Sequence, residues 1–168
     1  MREILFKAKG RDGEGWQEGF YWNTQDTTYC VQEDYGRNPG NAHHYLLFDR
    51  MTDWGLPNRK YRMDIEPETL CQYTGLTDKK HRKIWENDII EFDDTGEEGY
   101  EYKEGFDFRN RAVVVWNNGR FELTKLISDN SGILDLMNNY HEEFWDALKD
   151  CEVIGNIFDN PNLLNSQN

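Results

Sequence analysis

Residues 111–126 read Arg-Ala-Val-Val-Val-Trp-Asn-Asn-Gly-Arg-Phe-Glu-Leu-Thr-Lys-Leu, and this stretch restricts the fold more than any other. The run Val113-Val114-Val115 suits a pleated, buried surface. Asn118-Gly119 suits a type I′ turn, which needs positive φ at both central residues. The sequence therefore predicts a hairpin, with Arg111–Trp116 pairing Phe121–Leu126. A chain that commits to a tight hairpin here must build a sheet to cover it.

The rest of the pattern agrees. Glu3–Lys9 alternates, with Ile4, Phe6 and Ala8 on one face. Gly10, Gly13 and Gly15 break that strand. Trp16–Trp22 returns with Trp16, Glu18, Phe20 and Trp22 on one face. Phe20-Tyr21-Trp22 is apolar on both faces, which predicts burial on both sides. Further strands are expected at Asp26–Gln32, His44–Phe48, Ile84–Phe92 and Cys151–Phe158. Thr52–Tyr61 has no clear period, and Pro67 suits either one helical turn or an extended bend. After Asn130 or Ser131 as N-cap, Ile133, Met137, Tyr140, Phe144 and Leu148 recur at helical spacing. The expected fold is mainly β (α+β): a single compact domain of antiparallel strands, barrel-like or sandwich, with one helix near 133–149. Its expected bounds are 1–161, with a flexible tail at 162–168.

Charge narrows the function classes. Nineteen basic and 32 acidic residues give a net charge of −13, which repels nucleic-acid phosphates at long range. The basic run Lys79-Lys80-His81-Arg82-Lys83 reads as a solvated hairpin turn. Six Trp and an aromatic content of 14% supply a real core. Cys30, Cys71 and Cys151 are odd in number and widely spaced, which fits reduced thiols in a reducing cytoplasm rather than a disulfide framework. No apolar h-region opens the chain, and no apolar run reaches the ~18 residues of a membrane helix.

Specific chemistry is sparse. His141-Glu142-Glu143-Phe144-Trp145 has Trp where the zincin helix needs its second His. His43 and His44 are adjacent, so on a strand they point to opposite faces and do not share a metal. Asp94, with Glu101 and Lys103, resembles the carboxylate–lysine pattern of metal-dependent nucleases, yet the segment is too glycine-rich to hold that geometry. No phosphate loop and no nucleophile elbow are present. No cofactor, metal site or catalytic residue is expected.

Ile65–Phe92 holds Thr69, then Gln72-Tyr73-Thr74-Gly75-Leu76, Asp78-Lys79 and Ile84-Trp85-Glu86-Asn87-Asp88-Ile89-Ile90. Glu152-Val153-Ile154-Gly155-Asn156-Ile157 answers it near the C-terminus. Together with Arg2–Lys9 and Trp16–Phe20, these segments resemble the YopX family of phage and prophage proteins. The resemblance implies a small β-rich protein of phage or prophage origin and assigns no chemistry. Asn87 stands where that family usually has Gly, which predicts a positive-φ turn or bulge with Asp88 bonding nearby backbone. Thr69, Gln72, Thr74, Gly75, Asp78, Asn87, Asp88, Gly155 and Asn156 are accordingly read as fold-making.

Two stretches depart from the family pattern and read as insertions, an acidic loop at about 93–110 and a helical segment at about 130–150. The first carries Glu97, Glu98 and Glu101 among Tyr100, Tyr102, Phe106 and Phe108. These seven residues are the expected contact surface of a non-enzymatic module that binds a host or phage protein by aromatic burial and steering toward a basic partner. The rival readings are a structural homo-oligomer, an acidic mimic of DNA, and a metal-dependent nuclease. No direct nucleic-acid or membrane binding is expected.

Overall fold

The computed structural model describes residues 4–11, 13–96, 107–128 and 131–165. The chain is mainly β, built from two antiparallel sheets with few helices. Its contacts group into two units, 1–73 and 74–168.

Unit 1 contains β1 (Phe6–Lys9), β2 (Trp16–Gln25), α1 (Gln32–Arg37), β3 (Ala42–Arg50), β4 (Arg59–Asp64) and the start of β5 (Cys71–Thr77). The strands lie in the order β4-β3-β2-β1-β5. Pairings such as Phe6↔Gly19, Tyr21↔Leu46, Leu46↔Met63 and Phe48↔Tyr61 set one face. On it Ala8, Leu46 and Met63 bury a small core with Ile65, flanked by Phe6, Tyr21, Phe48 and Leu70. The sheet curls, and an isolated bridge joins Gly10 to Ile65. Glu66 N–H donates to Lys9 O at 2.9 Å and Arg11 N–H to Asp64 O at 3.1 Å. These bonds tie the end of β4 to the end of β1 without closing a barrel.

Two expectations for this unit change, and one open stretch gains an assignment. Asp26–Gln32 is not a strand. Tyr35 Oη accepts from Tyr29 N–H at 3.1 Å, and the two rings meet edge to face. Asn41 Nδ2 donates to Tyr29 Oη at 2.7 Å. Side chains thus satisfy this backbone locally instead of a ladder, and α1 begins at Gln32 with Glu33 and Asp34 in its first turn. Thr52–Tyr61, unreadable by period, contains a hairpin loop and the start of β4. Finally, Trp16, Glu18, Phe20 and Trp22 do share a face, but Phe20 is 60% exposed and Trp22 42% exposed. β2 is buried on one side only. Pro67 opens a single 3-10 turn.

Unit 2 contains the rest of β5 beside β6 (Lys83–Trp85). It also holds a four-stranded sheet ordered β10-β7-β8-β9, from β7 (Asp88–Thr95), β8 (Asp107–Asn117), β9 (Arg120–Thr124) and β10 (Glu152–Asn156). Asn118 and Gly119 have φ of 48° and 87°, as the hairpin requires. Asn87 has φ of 65°, and the expected strand Ile84–Phe92 is cut there into β6 and β7. The expected single helix is two: α2 (Gly132–Asn139) and α3 (His141–Ala147). Asn138-Asn139 are weak helix formers, and Tyr140, at φ −135° and ψ 66°, caps one helix and starts the next. The break turns Tyr140 outward, while Ile133, Met137, Phe144 and Leu148 join Ile84, Ile90, Phe92, Ala112, Val114, Phe121, Leu123 and Cys151 in the core.

Candidate functional site

In unit 2 the sequence motifs are tied together by hydrogen bonds. Asp78 is buried and accepts from the backbone N–H groups of Lys80 (2.8 Å), Arg82 (2.9 Å) and Val153 (3.1 Å) and from the Arg82 guanidinium. Burial pushes its pKa up, but those hydrogen bonds together outweigh burial and hold it below the ordinary 3.8. The basic run is the solvated turn between β5 and β6, and its charges are paired. Lys79, Lys80 and Arg82 converge on Glu152 of β10, whose pKa is lowered chiefly by the bond from Lys80. Asn87 N–H donates to Val114 O and Ile157 N–H donates to Asn87 O. Asp88 accepts from Trp85 N–H at 2.8 Å. Asn156 Oδ1 accepts from the N–H groups of Phe158 and Asp159, both at 2.9 Å. The middle motif and its C-terminal echo therefore meet in space.

Thr74 Oγ1 donates to Ile84 O at 2.8 Å, and Gly75 sits at φ 91°. In unit 1, Thr69 Oγ1 accepts from Lys9 N–H and donates to Glu66 O, and Gln72 pairs with Phe6.

Asp94, the first member of the nuclease-like pattern, is buried at the start of α2. Its carboxylate accepts from Thr95 N–H (2.8 Å), Ile133 N–H (3.3 Å), Asn110 Nδ2 (2.9 Å) and Ser131 Oγ. Four donors fill the roughly four lone-pair positions of one carboxylate. Glu97, Glu98, Tyr100, Glu101, Tyr102, Lys103 and Phe106 lie outside the described residues. Phe108 lies on β8, opposite Asp94 of β7, so residues 93–95 and 107–110 are paired strand where a loop was expected. His43 meets Asp26 at 3.0 Å, while His44 meets Tyr21 Oη at 2.6 Å, so the pair does diverge. Cys151 is buried, and desolvation pushes its thiol up to about 11. Among the described residues, no group of three or more His, Cys, Asp or Glu is arranged to hold a metal ion. No helix among them is long and apolar enough to cross a membrane.

An open groove lies in unit 1, and the sequence motifs missed it. A groove of about 640 Å³ is lined by Leu5, Gly19, Phe20, Leu47, Phe48 and Tyr61, with Glu18, Asp49, Lys60 and Arg62. Phe20↔Leu47 and Leu47↔Arg62 are cross-strand partners, so these three side chains form one row. Gly19 cannot carry a side chain, because a Cβ would stand 2.6 Å from Leu47 O. Cations sit over the aromatics nearby: Lys7 and Lys9 over Trp16, Arg62 over Tyr45 at 4.5 Å, and Arg50 over Phe48 and Tyr61. Such contacts let aromatic rings stand on a solvated face. The signal was present in Phe20-Tyr21-Trp22 and Arg59-Lys60-Tyr61-Arg62, where aromatics occupy both faces and cations interleave.

The YopX protein family model matches residues 20–165. The chain belongs to the YopX family. Among solved structures, the chain is similar to protein EF1440 from Enterococcus faecalis, at 19% identity over 98% of this chain and 100% of that one, with a TM-score of 0.47. Among curated proteins none matches this YopX chain.

Proposed function

We propose that this YopX protein is a non-enzymatic accessory protein of phage or prophage origin that acts in the host cytoplasm by binding another protein. The observation that carries the reading is the unit 1 groove, where Phe20 stays 60% exposed beside Leu47. Exposed aromatic bulk with a polar rim is the surface from which protein contacts draw most of their energy. The acidic residues Glu97, Glu98 and Glu101, with Tyr100, Tyr102, Phe106 and Phe108, are a second contact surface, directed at a basic partner by charge alone.

The test is a tagged pull-down with and without nuclease treatment, comparing the wild-type chain with Phe20→Ser/Trp22→Ser and with alanines at Tyr100, Tyr102, Phe106 and Phe108. We expect a host or phage protein retained by the wild type and lost from one or both variants, with unchanged circular dichroism. Retention that depends on nucleic acid, or no partner in any arm, overturns the reading. A structural homo-oligomer is the second reading, favoured by the open outer edge of β4. Light scattering across a concentration series separates the two.

A further inference from the structure

β4 ends its sheet, and its outer edge carries an unusual charge. Arg59, Lys60 and Arg62 stand against one acid, Asp64, within a chain of net charge −13. Arg50 and Arg59 are direct cross-strand partners. Like charges directly opposite each other are unfavourable. Among the described residues no carboxylate pairs with Arg50, Arg59 or Arg62, and Lys60 meets only Asp49, at 2.9 Å. The backbone supplies the rest. Ile65 N–H turns inward to His44 O, while Asp64 O turns outward to Arg11 N–H. By antiparallel alternation, Arg62 and Lys60 direct their N–H and C=O groups to the open edge.

Resting on the protein-binding reading above, we infer that β4 takes an extended acidic segment of a partner protein as an added strand. A paired strand places a side chain opposite each β4 residue. Carboxylates opposite Arg62 and Lys60 would neutralise the groove side. An aromatic opposite Tyr61 would stack beside that ring, near the Arg50 guanidinium, which lies 4.9 Å over it. The segment recognised is therefore acidic–aromatic–acidic at consecutive positions. Its main-chain bonds supply affinity, and the cations supply sign and register.

The experiment uses the full chain and a labelled synthetic peptide with Glu-Tyr-Glu at its centre, read by fluorescence anisotropy. Saturable binding is expected, weakened at least tenfold between 50 and 300 mM salt, on the order expected for exposed charges. It should also weaken at least tenfold in Arg59→Glu/Arg62→Glu, and a Lys-Tyr-Lys peptide should not bind. Should that variant unfold, amide exchange of the wild-type chain decides. The outward Lys60 and Arg62 amides must gain protection with peptide, and unchanged exchange there overturns the inference. Binding of the Lys-Tyr-Lys peptide instead, or binding untouched by the charge reversal, overturns the inference while leaving a protein-binding groove. Concentration-dependent self-association lost in the variant also overturns it, because the occupant is then a second copy. Failure of every peptide, joined to an empty pull-down, removes the protein-binding reading as well.

Discussion

The two units of this chain handle polar groups in opposite ways. Unit 2 brings carboxylates inside and satisfies them: Asp78, Asp88 and Asp94 are all buried, each accepting from protein donors. Unit 1 keeps its charges outside and sets them over aromatic rings, leaving Phe20 and Trp22 exposed. Net charge divides the same way. Unit 1 holds nine basic and twelve acidic residues, while unit 2 holds ten and twenty. Buried, fully bonded carboxylates fix local geometry because losing one donor or acceptor is costly. Exposed rings under cations contribute little to stability and remain available to a ligand. The difference teaches where to look: geometry is fixed around the buried carboxylates, and apolar bulk is left exposed on the unit 1 face.

The comparison breaks most readily at Asp94. Asp94→Ala leaves Ser131 and two backbone N–H groups without the acceptor they use here, and Asn110 with only Ser128 O for its amide, and we expect a loss of about 3 kcal/mol in urea denaturation. A loss below ~0.5 kcal/mol would mean that the buried network is not what fixes unit 2. Next comes Gly155→Ala. The added Cβ would lie 2.5 Å from Asn160 Oδ1, which accepts from Asn156 N–H. A cost of about 1–3 kcal/mol is expected, less if Asn160 swings aside.

Asp78 sharpens the contrast through pH. Its folded pKa lies below the ordinary 3.8, so the unfolded chain binds the proton more readily. The stability it contributes is present above the ordinary value and is lost as pH falls through the folded pKa. Asp78→Asn should therefore be less stable near neutral pH and show a shallower acid limb in thermal melts from pH 6 to 2. An unchanged acid limb would show that other carboxylates carry it.

Thiol chemistry gives a further check. Cys30 is exposed, whereas Cys71 and Cys151 are buried, with the Cys151 thiol at about 11. A maleimide at pH 7.5 should label one thiol per folded chain and three in denaturant. The smallest expected effect on stability is the most telling. Phe20→Ser should change unfolding free energy by no more than ~0.5 kcal/mol, because the ring is mostly solvated. A loss near that of Asp94→Ala would make the unit 1 face a core surface and end its candidacy.

Much of unit 2 was legible in the sequence because its signals are local. Asn118-Gly119 and Asn87 adopt the positive φ their residue types permit, and the apolar spacing of Ile133, Met137, Phe144 and Leu148 marks the buried helical face. What failed there was continuity. Asn87 cuts an expected strand, and Tyr140 splits an expected helix. In unit 1 the period-two pattern named the residues of one β2 face and misjudged its burial, because apolar identity does not tell which face a neighbouring layer covers. The β4 surface went unread, since Arg59-Lys60-Tyr61-Arg62 acquires meaning only beside Phe20 and Leu47.

By itself, the sequence determined the family, the predominance of antiparallel strands and the positions of the tight turns. Those properties follow from φ preferences and alternation within a few residues. Only the tertiary structure decided that Asp78 reaches Val153, that Asp94 is consumed by four donors, and that β4 is left at an edge beside an aromatic groove. These depend on pairings across 39 to 75 residues for the two aspartates, and on strand order for β4. Chain neighbours carry no information about either.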